Sequence, residues 1–145
     1  IPGDGIDNDG NGYVDDVHGW NFYSGNSQIF VGEEDSHGTH AAGTIAASRN
    51  NGGSVGITDN QYVKIMSIKA LGGEEGKGSP ESVIAAIRYA EANGAQICNL
   101  SFGSENCTEE FRAAIQGSKM LFVVAAGNGN EDEIGYNIDQ NPVIR

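Results

Sequence analysis

No lysine or arginine occurs before Arg49, and the chain of 145 residues carries only 8 of them against 20 aspartates and glutamates, a formal net charge of −12. A surface of that sign repels phosphate, so a nucleic-acid partner is excluded. Bound cations, or a solvated extracellular surface, fit it better. No apolar run approaches the roughly 20 residues that a membrane-spanning helix needs, and no membrane partner is expected. There is no signal-peptide pattern either. The start at Ile1-Pro2, without a methionine, reads as that of a processed piece. Two cysteines cannot make a disulfide framework. Cys98 sits in an apolar strand-like run, where a free buried thiol is the default, with a bridge to Cys107 across the following turn as the alternative. The length suits one domain with a core of its own.

Residues 1–36 are rich in Gly, Asp and Asn. They read as loop, pinned by the aromatic anchors Tyr13, Trp20, Phe22, Tyr23 and Phe30. A small-residue helix is expected from about 37 to 48, then a turn from Asn50 to Ser54. Beyond it the pattern becomes regular. Tyr62 to Leu71 (YVKIMSIKAL) reads as a strand, followed by the glycine-rich loop Gly72 to Gly78. Ser79-Pro80-Glu81 supplies an N-cap, a proline at the first helical position and an acidic first turn. Val83, Ile84, Ala86, Ile87 and Ala90 then repeat at helical spacing, and Gly94 ends that helix. A second strand is expected over Gln96–Phe102. A short helix capped by Thr108 and closed by Gly117 follows, then a third strand, Met120–Ala126, apolar enough to be buried on both faces. Strand, helix, strand, helix, strand at these spacings predicts a parallel α/β unit with right-handed crossovers. Ligands of such sheets lie beyond the carboxyl ends of the strands.

The stretch Asp35-Ser36-His37-Gly38-Thr39-His40-Ala41-Ala42-Gly43-Thr44 opens the first helix. A histidine there presents an aimable ring, as proton transfer requires. Gly38 and Gly43 weaken a helix, and a close neighbour on one side would account for them. The run resembles the histidine motif of the subtilisin-like serine proteases, His-Gly-Thr-His-Val-Ala-Gly-Thr, and departs from it only at Ala41. That resemblance implies that His37 is the general base and His40 a packing residue. Val123-Val124-Ala125-Ala126-Gly127-Asn128 is similar to the family's oxyanion segment, which makes Asn128 the oxyanion donor and places Ala125, Ala126 and Gly127 along the pocket for the side chain before the scissile bond. Ile97 to Gly103 resembles the substrate-binding strand. A peptide would lie extended along Ser101, Phe102 and Gly103 as an added strand. Gly76-Lys77-Gly78 resembles the opposite rim, where Gly76 and Gly78 admit a peptide backbone. By the resemblance the fold is a three-layer, doubly wound, mainly parallel sheet, incomplete here, with residues 37–145 as the βαβ core and 1–36 as an acidic insert.

The family's aspartate and serine are not found. No serine stands in a Gly-Thr-Ser-Met-Ala context, and Asp4 and Asp9 have no strand before them. Asp35 is too near along the chain to face the ring, and Ser36 is a decoy beside His37. The chain is therefore expected to be the middle of a catalytic domain, a serine endopeptidase whose partners are a polypeptide substrate, an inhibitory propeptide or the missing parts of its own domain. A non-catalytic peptide-binding module is the rival reading. A metal hydrolase built on His18, His37 and His40 lacks His-Glu-x-x-His spacing. The run Asp7 to Asp16 offers oxygen donors at alternate positions, as calcium wants. Position 12 of an EF-hand reading would be His18, so it is no EF-hand. With Gly19-Trp20-Asn21-Phe22 it resembles the acidic, calcium-binding insert of apicomplexan and bacterial subtilases. That implies Ca2+ held by Asp7, Asp9, Asn11, the Tyr13 carbonyl and Asp16.

Overall fold

The computed structural model describes residues 3–58, 62–103 and 108–125. The chain divides into two compact units, Ile1–Gly78 and Ser79–Arg145.

The first unit is built on a parallel pair, β1 (Gly19–Asn21) and β2 (Ser67–Lys69). A 3-10 turn, Glu33–Asp35, leads into helix α1 (Ser36–Ala46). β1 falls where the sequence reads as loop. Its glycine is the reason: at φ +122° a Cβ on Gly19 would overlap the Ser67 carbonyl, so no other residue lets the strands meet there. β2 is shorter than the run Tyr62–Leu71, because the strand it pairs with has only three residues. Asn21 is fully buried and satisfied at both ends of its amide. Its nitrogen donates to the Gln28 carbonyl and its oxygen accepts the Ser24 N–H. Tyr13 meets Trp20 and Phe22 edge-on, with centroids 5.0 and 5.5 Å away. Tyr23 and Phe30, also expected as anchors, are about half exposed.

Helix α1 has no buried residue. Its C-terminal carbonyls are taken by an extended segment instead: Gly56, Ile57 and Thr58 donate to Ala47, Thr44 and Ile45 at 3.0, 3.0 and 2.9 Å. Gly56 packs so closely on Ala46 and Ala47 that a side chain would not fit. Among the described residues nothing lies within 4 Å of a Cβ at Gly38 or Gly43, so none of them is the expected close neighbour. Among the described residues every buried hydrophobic side chain belongs to the second unit. Backbone hydrogen bonds, tight glycine contacts and the buried polar side chains Asn21 and Lys69 hold the first.

The second unit holds α2 (Pro80–Ala92), β3 (Ile97–Leu100), α3 (Glu109–Gly117) and β4 (Leu121–Val124). Both helices begin as their sequences dictate. Ser79 Oγ accepts the Ser82 N–H and Thr108 Oγ1 accepts the Phe111 N–H, each at 3.2 Å. Gly94, at φ +83°, turns the chain out of α2. Val83, Ala86, Ile87, Tyr89 and Ala90 are buried along α2, with Leu100, Ile115 and Met120 completing the core. β3 and β4 run parallel, Ile97 opposite Leu121 and Leu100 opposite Val124. The expectation that the last strand is buried on both faces does not hold. Side chains alternate across a strand; Leu100, Cys98 and Phe122 lie on the covered side, whereas Ile97, Leu121 and Val123 are 63%, 58% and 50% exposed. Within the first unit β1 pairs with β2, and within the second β3 pairs with β4, each pair parallel as expected.

Candidate active-site elements

His37 is the second residue of α1 and is exposed. His40, one turn on, is exposed as well among the described residues. Asp35 does not serve the ring. One carboxylate oxygen accepts the Val31 N–H at 2.7 Å, and the other pairs with the Lys69 ammonium. Glu34 is the second partner of that ammonium, at 2.8 Å. Burial works against the charge on Asp35. The Lys69 ammonium and the Val31 amide outweigh it and hold the carboxyl below its ordinary range. Burial likewise opposes the charge on Lys69, yet its two carboxylates raise it above the ordinary lysine value.

Sequence reasoning passed over Lys69. The signal was present: a lysine whose neighbours Ile68, Ala70 and Leu71 belong to a strand-like apolar run needs a carboxylate partner if it is buried. Which carboxylate that would be, 34 or 35 positions earlier, only the fold discloses.

The glycine loop after β2 closes on itself. Gly72 and Lys77 exchange backbone hydrogen bonds at 3.0 and 3.1 Å, and Gly73 and Gly76 take φ of +70° and +59°. Gly76 faces open space. The space beside Gly78 is filled by the chain's own Ala70 carbonyl and Leu71, so that glycine has a structural reason independent of any ligand. The ring of Tyr23 lies so close to Gly72 that a side chain there would overlap it.

In the second unit the segments after β3 and β4 leave the same end of one sheet. Ala125 N–H donates to the Leu100 carbonyl at 3.1 Å, continuing the ladder past the last strand residue. Ser101, Phe102 and Gly103 follow directly from Leu100. Ser101 Oγ and the Asn99 amide nitrogen are 2.7 Å apart, the amide donating. Ala126, Gly127 and Asn128 lie outside the described residues, as does Cys107. Cys98 is half-buried in β3, and burial pushes its thiol up.

The acidic loop is wound about its own carboxylates. Asp7 accepts the N–H groups of Gly10 and Gly12 at 2.8 and 2.7 Å, and that of Asn11 at 3.2 Å. The Gly12 amide foremost holds the Asp7 carboxyl below its ordinary range. Asn11 donates its amide nitrogen to Asp9 at 3.2 Å and to Asp16 at 2.9 Å, and its oxygen accepts the Tyr13 N–H. Asp15 gathers the N–H groups of Gly3, Asp4 and Gly5. Among the described residues no three His, Cys, Asp or Glu side chains are grouped closely enough to hold a metal ion. Asp9 and Asp16 are both held to the one Asn11 amide nitrogen, which brings their carboxylates to the same side chain. No described helix is long and apolar enough to cross a membrane.

The family model of the subtilases matches residues 4–144. Among curated proteins the chain is 35% identical over 128 residues to the major intracellular serine protease of Bacillus subtilis, covering 83% of this chain and 40% of that protein. Subtilisin DY of Bacillus licheniformis is 34% identical over 135 residues, covering 88% and 47%. The intracellular serine protease of Paenibacillus polymyxa is 34% identical over 128 residues, covering 83% and 38%. The chain thus spans less than half the length of each of these relatives. With the match running almost from end to end, the chain belongs to the subtilase family.

Proposed function

We propose that the whole protein is a serine endopeptidase in which this chain supplies the general base and the oxyanion donor. The observation that carries the reading is the exposed His37 at the start of α1, inside a family match that spans residues 4–144. His37 takes the proton from a serine hydroxyl as it attacks the peptide carbonyl, then returns it to the leaving amine. The Asn128 side-chain amide hydrogen-bonds the oxyanion that develops. The substrate lies extended along Ser101, Phe102 and Gly103, with the Gly76–Gly78 loop as the other rim and Ala125, Ala126 and Gly127 beside the side chain before the scissile bond. That the strand ends at Leu100 and Ala125 are joined by a hydrogen bond supports placing those segments side by side. The aspartate and serine of the triad come from the rest of the protein, whose fold we take to be the doubly wound, three-layer sheet of the family. An inhibitory propeptide would occupy the same cleft as substrate.

Calcium is the cofactor of this reading, bound by Asp7, Asp9, Asn11, the Tyr13 carbonyl and Asp16. It would neutralise a loop that otherwise crowds like charges, and it takes no part in the chemistry. A place outside the cell rests on the acidic composition alone, and two of the relatives are named intracellular. The deciding experiment is His37→Ala in the whole protein. Hydrolysis of a denatured protein substrate should be lost while the circular dichroism spectrum is retained. Wild-type turnover in that variant would overturn the reading.

A further inference from the structure

Helix α1 raises a question that its own residues do not answer. It carries the proposed base, and none of its residues is buried among the described residues, so what this chain itself supplies to place its first turn is hydrogen bonds and charge. Its far end is fixed by the N–H groups of residues 56–58. Its near end is fixed by Lys69. The side chain of Lys69 is 5% exposed, and its ammonium spans Glu34 and Asp35, the two residues before Ser36 and His37. The backbone of Lys69 is tied in the opposite direction: its carbonyl accepts the N–H groups of Phe22 and Tyr23 at 2.8 and 3.2 Å. Asp35 passes the connection on. Its carboxylate holds Val31, its N–H donates to Gly32, and its carbonyl accepts the Thr39 hydroxyl inside the helix at 3.0 Å. An unbroken series of hydrogen bonds therefore runs from the β1–β2 pair through one ammonium group to the first turn of α1.

A buried ion pair is a poor device for stability alone, since the desolvation of both charges consumes much of their attraction and an apolar side chain of similar volume commonly does as well. What the pair adds is geometry. The ammonium fixes two consecutive acidic residues at one point, and a shift of about 1 Å in a catalytic group is enough to cost on the order of 100-fold in rate. We propose that Lys69 is a positioning residue for His37, holding the first turn of α1 against the β1–β2 pair through Glu34 and Asp35. This rests on His37 being the general base.

The test is steady-state kinetics of the whole protein on a peptide ester, with Lys69→Met, Asp35→Asn, Lys69→Arg and His37→Ala compared below their melting temperatures. Lys69→Met should lower kcat about 10- to 100-fold and leave KM unchanged, because the substrate-binding segments after β2, β3 and β4 are intact. Lys69→Arg, which keeps a cation within reach of both carboxylates, should recover a large part of the loss. If Lys69→Met does not fold, Asp35→Asn carries the test: it keeps an acceptor for Val31, removes one charge of the pair and should show the same split. A folded Lys69→Met or Asp35→Asn protein with wild-type kcat and only a lowered Tm overturns the proposal. If His37→Ala retains activity the fault lies with the proposed base; if His37→Ala is dead while Lys69→Met is fully active, only the positioning role fails.

Discussion

Gly19 and Ser67 are register partners across β1 and β2, and they lie so close that a β-carbon on the glycine would overlap the serine carbonyl oxygen. The contact is backbone against backbone, so no side-chain rotation relieves it. Gly19 also holds φ +122°, a conformation that L-residues seldom adopt. Gly19→Ala should therefore destabilise the first unit by about 1–3 kcal/mol or more, combining the strained backbone with the overlap. Urea unfolding followed by Trp20 fluorescence would measure it, since Trp20 is the next residue of β1. A loss below about 0.5 kcal/mol, the range of an ordinary surface substitution, would mean that the two strands do not meet as described.

Acid should weaken the link between Lys69 and the start of α1, and the sign follows from Asp35. Its folded carboxyl lies below the ordinary value of 3.8, so the stabilisation it provides is complete above that value and is lost as pH falls through the lower, folded one. Lys69 lies above its ordinary 10.5, so its share is complete below 10.5 and is lost only at higher pH. Between these limits the pair contributes a constant amount. Asp4 and Asp7 are also held low, so acid unfolding is shared among several groups. Comparing wild type with Asp35→Asn isolates one of them: the stability difference should be flat from pH 5 to 9 and should shrink below about pH 4. A difference that stayed constant down to pH 2 would show that Asp35 is not paired.

The parts of this fold that rest on neighbouring residues were legible, and those that rest on distant ones were not. Ser79-Pro80 and Thr108 announce α2 and α3 because a cap acts within three residues, and Gly94 ends α2 for an equally local reason. β1 offers no such signal. Three residues, one of them glycine, have no period to detect, and the requirement for that glycine comes from Ser67. The same holds for Lys69, whose partners are far away along the chain. His37 was legible as a motif, but the exposure of α1 was not. Small residues imply a close neighbour, and among the described residues none lies against Gly38 or Gly43.

Calcium should tighten the loop from Asp7 to Asp16. Asp9 and Asp16 are brought to opposite sides of the Asn11 amide, whose N–H groups now separate them. A divalent cation bound there would hold the two carboxylates more strongly, and one that bound only the folded loop would stabilise it. At free Ca2+ 100-fold above its Kd the gain in stability is about 2.7 kcal/mol. Differential scanning calorimetry in Ca2+ and in chelator would read it as a raised Tm, reduced in Asp9→Asn and Asp16→Asn. Equal melting in both buffers, or no heat of binding on titration, would remove calcium from the account.

Residues 1–145 alone should hydrolyse no peptide bond. A hydroxyl nucleophile needs a base within about 3 Å and a held orientation, and the described serines nearest the proposed machinery are otherwise placed. Ser36 precedes His37 on the helix, and adjacent helical residues point about 100° apart, so they do not face each other. Ser101 Oγ is engaged by Asn99, and Ser79 Oγ caps α2. The β3–β4 pair adds a second expectation. Ile97, Leu121 and Val123 form an open apolar face on a sheet of two strands, and such a sheet invites pairing with another chain. The purified chain should therefore self-associate with rising concentration in sedimentation velocity, and Leu121→Lys should reduce it. Cleavage of a peptide by the chain, together with labelling by a serine-directed phosphonate, would identify one of these serines as a nucleophile and overturn the division of the active site proposed above.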